Sequence, residues 1–476
     1  MVTIRKITTT LCLLMLATYY SCVPTQEVRE AVNTMPESYN NTVADTLNSA
    51  KIQWNEFFSD EKLRHLIQEA LTNNQELHIV LQQIAMAKNE IQARKGEYLP
   101  FVNFQAGADL EKVGKHTRNG SVEEQLTIDE DKFPDPLSNY SVGITASWEL
   151  DVWKKLRNSK KVAVMEYLAT VEGKNFMVTN LVTEIADTYY ELLALDNKLA
   201  IVEQNLKIQN TALEIVKLQK QAARATNLAV KRFEAEVLKN RSEKYEIKQQ
   251  IVEAENKLNF LLGRQPKEIT RSSESFLDKK VDTVLTGVPS QLLSNRPDIR
   301  QVEYELEASK LNVKVARANF YPSFGIKAGA GFESFKPQFL TSVPESVFYR
   351  LAGDVVGPLI NRNAIKAAYN SANAKQLQTV YEYEKTVLKA YIEVVNGLSK
   401  LQNLKKNYEL KNEQVEALTQ SIEISNKLFQ SARADYMEVL LTQRDALESK
   451  IKLIEIKKEH MIARVELYRA LGGGWN

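Results

Sequence analysis

Residues 98–110 read YLPFVNFQAGADL and residues 320–332 read FYPSFGIKAGAGF, two versions of one phrase set far apart in the chain. Each closes a helical pattern and opens an alternating one. The flanks repeat as well. Leu63 to Gly96 is a helical stretch ahead of the first copy, and Pro297 to Asn319, inside RPDIRQVEYELEASKLNVKVARANFYP, precedes the second. Further on, ARATNLAVKRFEAE (223–236) and ARADYMEVLLTQRD (432–445) stand at matching places between two long helical patterns. The chain is therefore written twice, in two large modules rather than in the 20–50-residue units of a solenoid.

Each module has the order helix, strand, loop, strand, long helix, tip, long helix. The long helices are expected over about 158–222 and 228–262 in the first module, and about 361–431 and 436–471 in the second. Ile185, Tyr189, Leu192, Leu195, Leu199, Val202 and Leu206 recur at steps of three and four, as do Val387, Tyr391, Val394, Leu398 and Leu401. Sustained spacing of that kind indicates coiled-coil-like packing. Helices of this length suit a scaffold or a tube, because at 1.5 Å per residue they reach on the order of 90 Å.

Four segments alternate with period two, at about 101–112, 139–150, 322–333 and 346–357. Val102, Phe104, Ala106, Ala108 and Leu110 face Asn103, Gln105, Gly107, Asp109 and Glu111 across the first of them. Each is close to the 9–11 residues of a tilted membrane strand with one apolar and one polar face. Four strands cannot span a bilayer alone, since the edge groups would find no partner in lipid. Three chains contributing four strands each would close a barrel and abolish the edges. The connections at about 113–138 and 335–345 are expected as outward loops.

Composition bounds the rest. The 476 residues carry 62 basic and 60 acidic side chains, a formal charge of +2. Removing Arg5 and Lys6 with a leader leaves 2 − 2 = 0, which excludes the clustered basic excess of a nucleic-acid binder. Both cysteines, Cys12 and Cys22, lie at the start, and His65, His78, His116 and His460 are scattered. That pattern offers neither a disulfide framework nor ligand spacing for a metal. Arg5 and Lys6 precede an apolar run from Leu11 to Ala17 that ends at Ser21-Cys22, a secretory signal (1–21) too short to span a bilayer. Its end resembles a bacterial lipoprotein cleavage site with lipid attached at Cys22, and Val23 fits sorting to the outer membrane; ordinary secretion with cleavage elsewhere is the alternative.

VPSQLLSNRPDIRQVEYELEAS (288–309), SWELDVWKKLR (147–157), LLGRQP (261–266) and LYRALGGGWN (467–476) together make the chain similar to the outer-membrane factor family, the TolC-like efflux channels, in their lipoprotein (NodT-type) branch. The resemblance implies a mainly α protein with membrane β, a homotrimer whose twelve strands form an outer-membrane barrel continued by a periplasmic α-helical barrel. It implies three kinds of partner: a periplasmic membrane-fusion adaptor, an inner-membrane pump of the RND type, and outer-membrane lipid. By this reading, 22–56 is a lipidated extended segment, 57–265 and 288–472 are the repeats, 266–287 links them, and 473–476 is a tail.

The resemblance also places the adaptor-docking tips at Arg224, Ala225, Thr226, Asn227 and Leu228, and at Arg433, Ala434, Asp435, Tyr436 and Met437. Relatives put glycine at these tips and an aspartate ring near the second; here both tips lack glycine, and Asn426 stands at the aspartate position with Glu423 one turn earlier. Glu423, Asn426 and Tyr436 are the periplasmic gate candidates. GGG at 472–474 reads as a helix stop rather than a phosphate loop, since no Lys-Ser/Thr follows. Arg296-Pro297-Asp298 reads as a helix start, and Glu234 and Glu236 as a solvated face. No nucleophile–base pair, ligand cluster or cofactor fingerprint indicates an enzyme. The functional expectation is a passive exit duct for small molecules. A type I protein-secretion duct and a non-conducting lipid-anchored coiled-coil scaffold are the alternatives.

Overall fold

The structure is a computed structural model, and it describes residues 28–32, 34–39, 47–128, 131–358, 360, 362–431 and 433–475. Cys22 and the leader lie outside the described residues. Helix α1 (Glu61–Asn73) and α2 (Gln75–Glu97) lead into strand β1 (Phe101–Glu111). A small helix α3 (Arg118–Glu123) and a hairpin of β2 (Thr127–Ile128) and β3 (Asp131–Lys132) follow, then β4 (Leu137–Leu150). Two long helices complete the first module, α4 (Lys155–Gln221) and α5 (Asn227–Leu261). The second module repeats the order: α6 (Pro297–Ala318), β5 (Ser323–Ser334), β6 (Val347–Val356), α7 (Asn363–Gln430) and α8 (Tyr436–Ala470).

Two expectations needed correction. The stretch from Leu63 to Gly96 is not one helix, because Asn74 breaks it with an extended backbone. Its Oδ1 accepts the Leu77 N–H at 2.9 Å while its Nδ2 donates to Leu261 O at 2.9 Å. Asparagine thus caps the next helix, as its short polar side chain favours. The connection expected as a loop over about 113–138 is not a plain one either. Thr117 caps α3 by accepting the Gly120 N–H at 3.2 Å.

The chain packs as two compact units, and each takes pieces of both modules. The first (residues to Glu30, Ala85–Leu168 and Tyr304–Val380) holds one antiparallel sheet ordered β1-β4-β5-β6. Its helical part centres on Val313, Phe320 and Tyr369, against which Val28 and Ile365 pack. The second (Ala31–Ile84, Ala169–Glu303 and Tyr381–Asn476) is helical, and its core includes Ile185, Tyr189, Leu192, Val394 and Leu467. Among the described residues no helix is long and apolar enough to cross a membrane.

Candidate functional site

The register of the sheet decides what it can do. Phe104 pairs with Ile144, Ile144 with Ala330, and Ala330 with Tyr349. The next row on the same face is Val102, Ala146, Ala328 and Leu351, and Ala106, Val142, Phe332 and Val347 form another. Alternation with period two then puts nearly all the large apolar side chains of β1, β4 and β5 on one face, Phe101 and Leu137 at the strand ends being the exceptions. That face is bare: Phe104 is 74% exposed, Leu351 78% and Tyr349 86%. A face of contiguous exposed apolar side chains needs a partner or lipid. Strands β1 and β6 are the sheet's edges, each paired on one side only.

The opposite face is polar. Glu333 accepts from Arg350 at 2.7 Å and from Asn139 at 3.0 Å, joining three strands. Lys327 pairs with Asp354 at 3.1 Å. Between these charged groups the face is lined by glycine. Gly143 and Gly331 sit opposite each other, and a Cβ on Gly331 would lie 2.5 Å from the Gly143 Cα. The two backbones approach too closely there for any other residue pair. Aromatic side chains collect at the strand ends. Trp153 stacks on Tyr321 at 4.5 Å and donates to Pro322 O at 2.7 Å, and Trp148 donates to Tyr98 O at 3.0 Å. At the other end Phe335 and Phe339 pack edge to face. Rings whose polar tips stay satisfied suit the two borders of a membrane.

The tips lie in the helical unit. Helix α4 ends at a reversal in which Arg224 N–H donates to Gln219 O at 2.8 Å, with Ala223 at φ 55°. That is the left-handed position where glycine is usual, so the missing glycine is replaced by alanine under strain. Thr226 then caps α5, accepting the Ala229 N–H at 3.1 Å. The second tip repeats the closure, Arg433 N–H to Leu428 O at 2.9 Å. Asp435 precedes α8 without a side-chain cap bond. The structure brings the tips together: Tyr436 packs against Phe233 at 6.5 Å, and Met437 Sδ accepts from Arg232 at 3.3 Å. Glu423 is exposed and Asn426 half-buried, both near the end of α7, whereas Tyr436 faces the other hairpin.

Sequence reasoning passed over the second unit's buried charges. Arg296 is 5% exposed. It pairs with Asp298 and Glu393, both at 2.7 Å, and donates to Ala470 O at 3.0 Å. Burial opposes this guanidinium's charge most strongly, but Asp298 and Glu393 together outweigh it and hold the pKa above the ordinary arginine value. Gly472, at φ 95°, abuts Asn295, where a Cβ would be 2.5 Å from the Asn295 carbonyl oxygen. The RPD and GGG motifs, distant in sequence, are thus two halves of one joint. The segment after α5 is strapped down in the same way. Arg271 binds Asp196 at 2.6 Å and also Glu255, Lys279 binds Asp60 at 2.5 Å, and Tyr408 donates to Leu277 O at 3.3 Å. Burial works most strongly against the Asp60 charge, yet Lys279, the Leu63 N–H and the Tyr189 hydroxyl together outweigh it and keep that carboxyl below its usual range. Only the acid–base alternation around these positions could have signalled them. Among the described residues no group of three or more His, Cys, Asp and Glu could hold a metal.

The model of the outer membrane efflux protein family matches residues 66–264 and 288–473. The pyoverdine export outer membrane protein OpmQ of Pseudomonas putida is 26% identical over 89% of this chain and 88% of its own length. The cation efflux system protein CusC of Escherichia coli is 26% identical over 92% of each. The solved open-state MtrE outer membrane channel of Neisseria gonorrhoeae superposes with a TM-score of 0.83, at 22% identity, over 96% of this chain and 99% of that one.

Proposed function

Because the chain belongs to the outer membrane efflux protein family, we propose that it is the outer-membrane exit duct of a tripartite pump, conducting small molecules passively and catalysing nothing. The observation that carries this reading is the sheet, bare on its apolar face and unpaired at β1 and β6. In lipid such edges need partners, and three copies supply them by joining β1 of one chain to β6 of the next. The polar face with Glu333, Arg350, Lys327 and Asp354 then lines a water-filled lumen. Helix α4 alone, 67 residues, is on the order of 100 Å long, and the long helices continue the tube through the periplasm.

Residues 57–265 and 288–472 are two copies of one module, joined by 266–287. The tips at Arg224–Leu228 and Arg433–Met437 receive a periplasmic adaptor that links an inner-membrane pump of the RND type, and Glu423, Asn426 and Tyr436 line the entrance. With Asn426 in place of an aspartate, the entrance holds less negative charge than an aspartate ring. Lipid is attached at Cys22. In support, Val28 packs beside Phe320, and Arg29 O accepts from Gln376 at 2.7 Å. Val28 and Arg29 thus run beside the residues leading into β5, as a chain tethered in the membrane next to the sheet would. Cargo of modest size is favoured over secreted protein because relatives are named for pyoverdine export and cation efflux.

Planar-bilayer recording of the purified trimer tests the proposal. A duct gives discrete conductance steps, whereas a coiled-coil scaffold gives none. Replacing Cys22 by alanine should leave the trimer assembled but weakly anchored; unchanged outer-membrane targeting and efflux would remove lipidation from the account.

A further inference from the structure

The polar face of the sheet carries a depression of about 530 Å³, walled by Arg350 and Phe348 of β6 and Lys327 of β5. The Arg350 guanidinium lies over the Phe348 ring, 4.9 Å from its centre. Each cation has an acid partner, Glu333 at 2.7 Å for Arg350 and Asp354 at 3.1 Å for Lys327. The bases are nevertheless the presented groups: the Arg350 and Lys327 side chains are 70% and 69% exposed, against 30% for Glu333 and 42% for Asp354. Gly143 and Gly329 leave the hollow between them open. Close approach of the Gly331 backbone accounts for Gly143, where a Cβ would lie 3.0 Å from the Gly331 Cα. Packing does not account for Gly329, since a Cβ there would meet nothing nearer than the Ile144 carbonyl oxygen at 3.6 Å. Alanine would fit at that position, and a longer side chain would fill the hollow.

These groups are complementary to a planar ring that bears an acid. Guanidinium stacks on aromatic faces, so the Arg350 plane held over Phe348 offers its other side to a second ring. The exposed ammonium of Lys327, on the adjacent strand, donates to the acid. Ser141, Thr145 and Gln105 supply neutral hydrogen-bonding groups around the hollow. Each contribution is modest in contact with water, and together they suit a dissociation constant on the order of 1 mM. A duct needs that weakness, because cargo must be able to enter a site on its wall and leave it again.

We propose that the hollow walled by Phe348, Arg350 and Lys327 is a lumenal contact site for aromatic acids, repeated in each copy around the barrel wall. The inference rests on the duct reading above and adds a cargo preference to it. Saturation-transfer NMR of 2-naphthoate with trimers in lipid nanodiscs reads the site, with empty nanodiscs as the blank. Naphthoate should bind saturably, about tenfold more tightly than cyclohexanecarboxylate, which lacks the ring face, or 2-naphthalenemethanol, which lacks the charge. Arg350→Gln should weaken naphthoate by about tenfold. Arg350→Lys keeps the charge without the plane and should bring naphthoate down to the level of the saturated acid. Gly329→Leu should fill the hollow and abolish binding. Gly329→Ala, whose added Cβ fits, should weaken it by a smaller step and carries the test if the leucine variant does not fold. Equal binding of naphthoate and the saturated acid, or naphthoate binding unchanged by Arg350→Gln, would overturn the proposal. Transfer no greater than in empty nanodiscs would do the same. Planar-bilayer recording of the same trimers keeps the two readings apart: trimers that conduct but do not bind overturn the site alone, whereas trimers that conduct nothing sink the duct reading beneath it.

Discussion

Ile144 and Thr145 are adjacent in β4, yet the sheet register sends them to opposite faces. Ile144 sits mid-strand in the row Phe104–Ile144–Ala330–Tyr349, while Thr145 lies between Asn103 and Gly329 on the polar side. Arginine at position 144 would stand in hydrocarbon, at a cost of about 2–4 kcal/mol per chain near the bilayer midplane. Three copies bring that to roughly 6–12 kcal/mol per trimer, comparable with the whole stability of an ordinary domain. Thr145→Arg would enter the aqueous lumen beside Arg350, whose charge is already engaged by Glu333 at 2.7 Å. The cross-strand cost there is under about 1 kcal/mol. A third variant separates lipid from a protein core. Ile144→Ala against lipid leaves a space that acyl chains fill, whereas in a packed core it costs about 2–5 kcal/mol. The assay is the urea midpoint of trimers folded into lipid vesicles. The reasoning predicts a severe loss for Ile144→Arg and near-native midpoints for Thr145→Arg and Ile144→Ala. Equal damage from the two arginines would refute the two-faced register, and severe damage from the alanine would refute the lipid exposure.

Other predictions concern the helical unit. Arg296→Met strands Asp298 and leaves Glu393 only the looser Lys389 contact at 3.7 Å, and should cost about 3–5 kcal/mol, read as a lower trimer melting temperature; Arg296→Lys should recover only part, because one ammonium cannot reach both carboxylates and Ala470 O. Asp187 has a buried Oδ1 without a partner, and burial, then the Glu466 charge, push its pKa from 3.8 to about 7. The folded protein therefore keeps a proton that the unfolded chain has released, and stability should fall as pH rises through that window and level off above it. Asp187→Asn should flatten the slope, by on the order of 2 kcal/mol after screening, in melting curves recorded across pH. Ala223→Gly should relieve the φ 55° backbone and raise the melting temperature slightly, by about 0.5–1 kcal/mol. Gly472→Ala should do the reverse at φ 95°, by about 1–3 kcal/mol.

The residues most legible in the sequence were those whose neighbours in space are also neighbours in period. Strand alternation named both faces of the sheet, and the ends of all four long helices lie within three residues of expectation. GGG stops α8 as its composition suggests, with Gly472 and Gly474 at positive φ. What stayed hidden depends on side chains that meet only after folding. Arg296 looked like part of a helix start because nothing local announces Glu393 or Ala470. Asn74 was read as helix interior, since its break is enforced by a bond to Leu261 far along the chain. The strap after α5 carried no periodicity to mark Arg271 or Lys279 as ion-pair partners.

The central claim is that one chain is a third of a closed barrel. A structure of the protein in lipid nanodiscs tests it most directly, by counting strands in the membrane and asking what pairs with the edges. The account predicts a threefold-symmetric ring of twelve strands, four from each chain, with β1 of every chain hydrogen-bonded to β6 of the next. A separate four-stranded sheet per chain, covered by protein and clear of the bilayer, would contradict it.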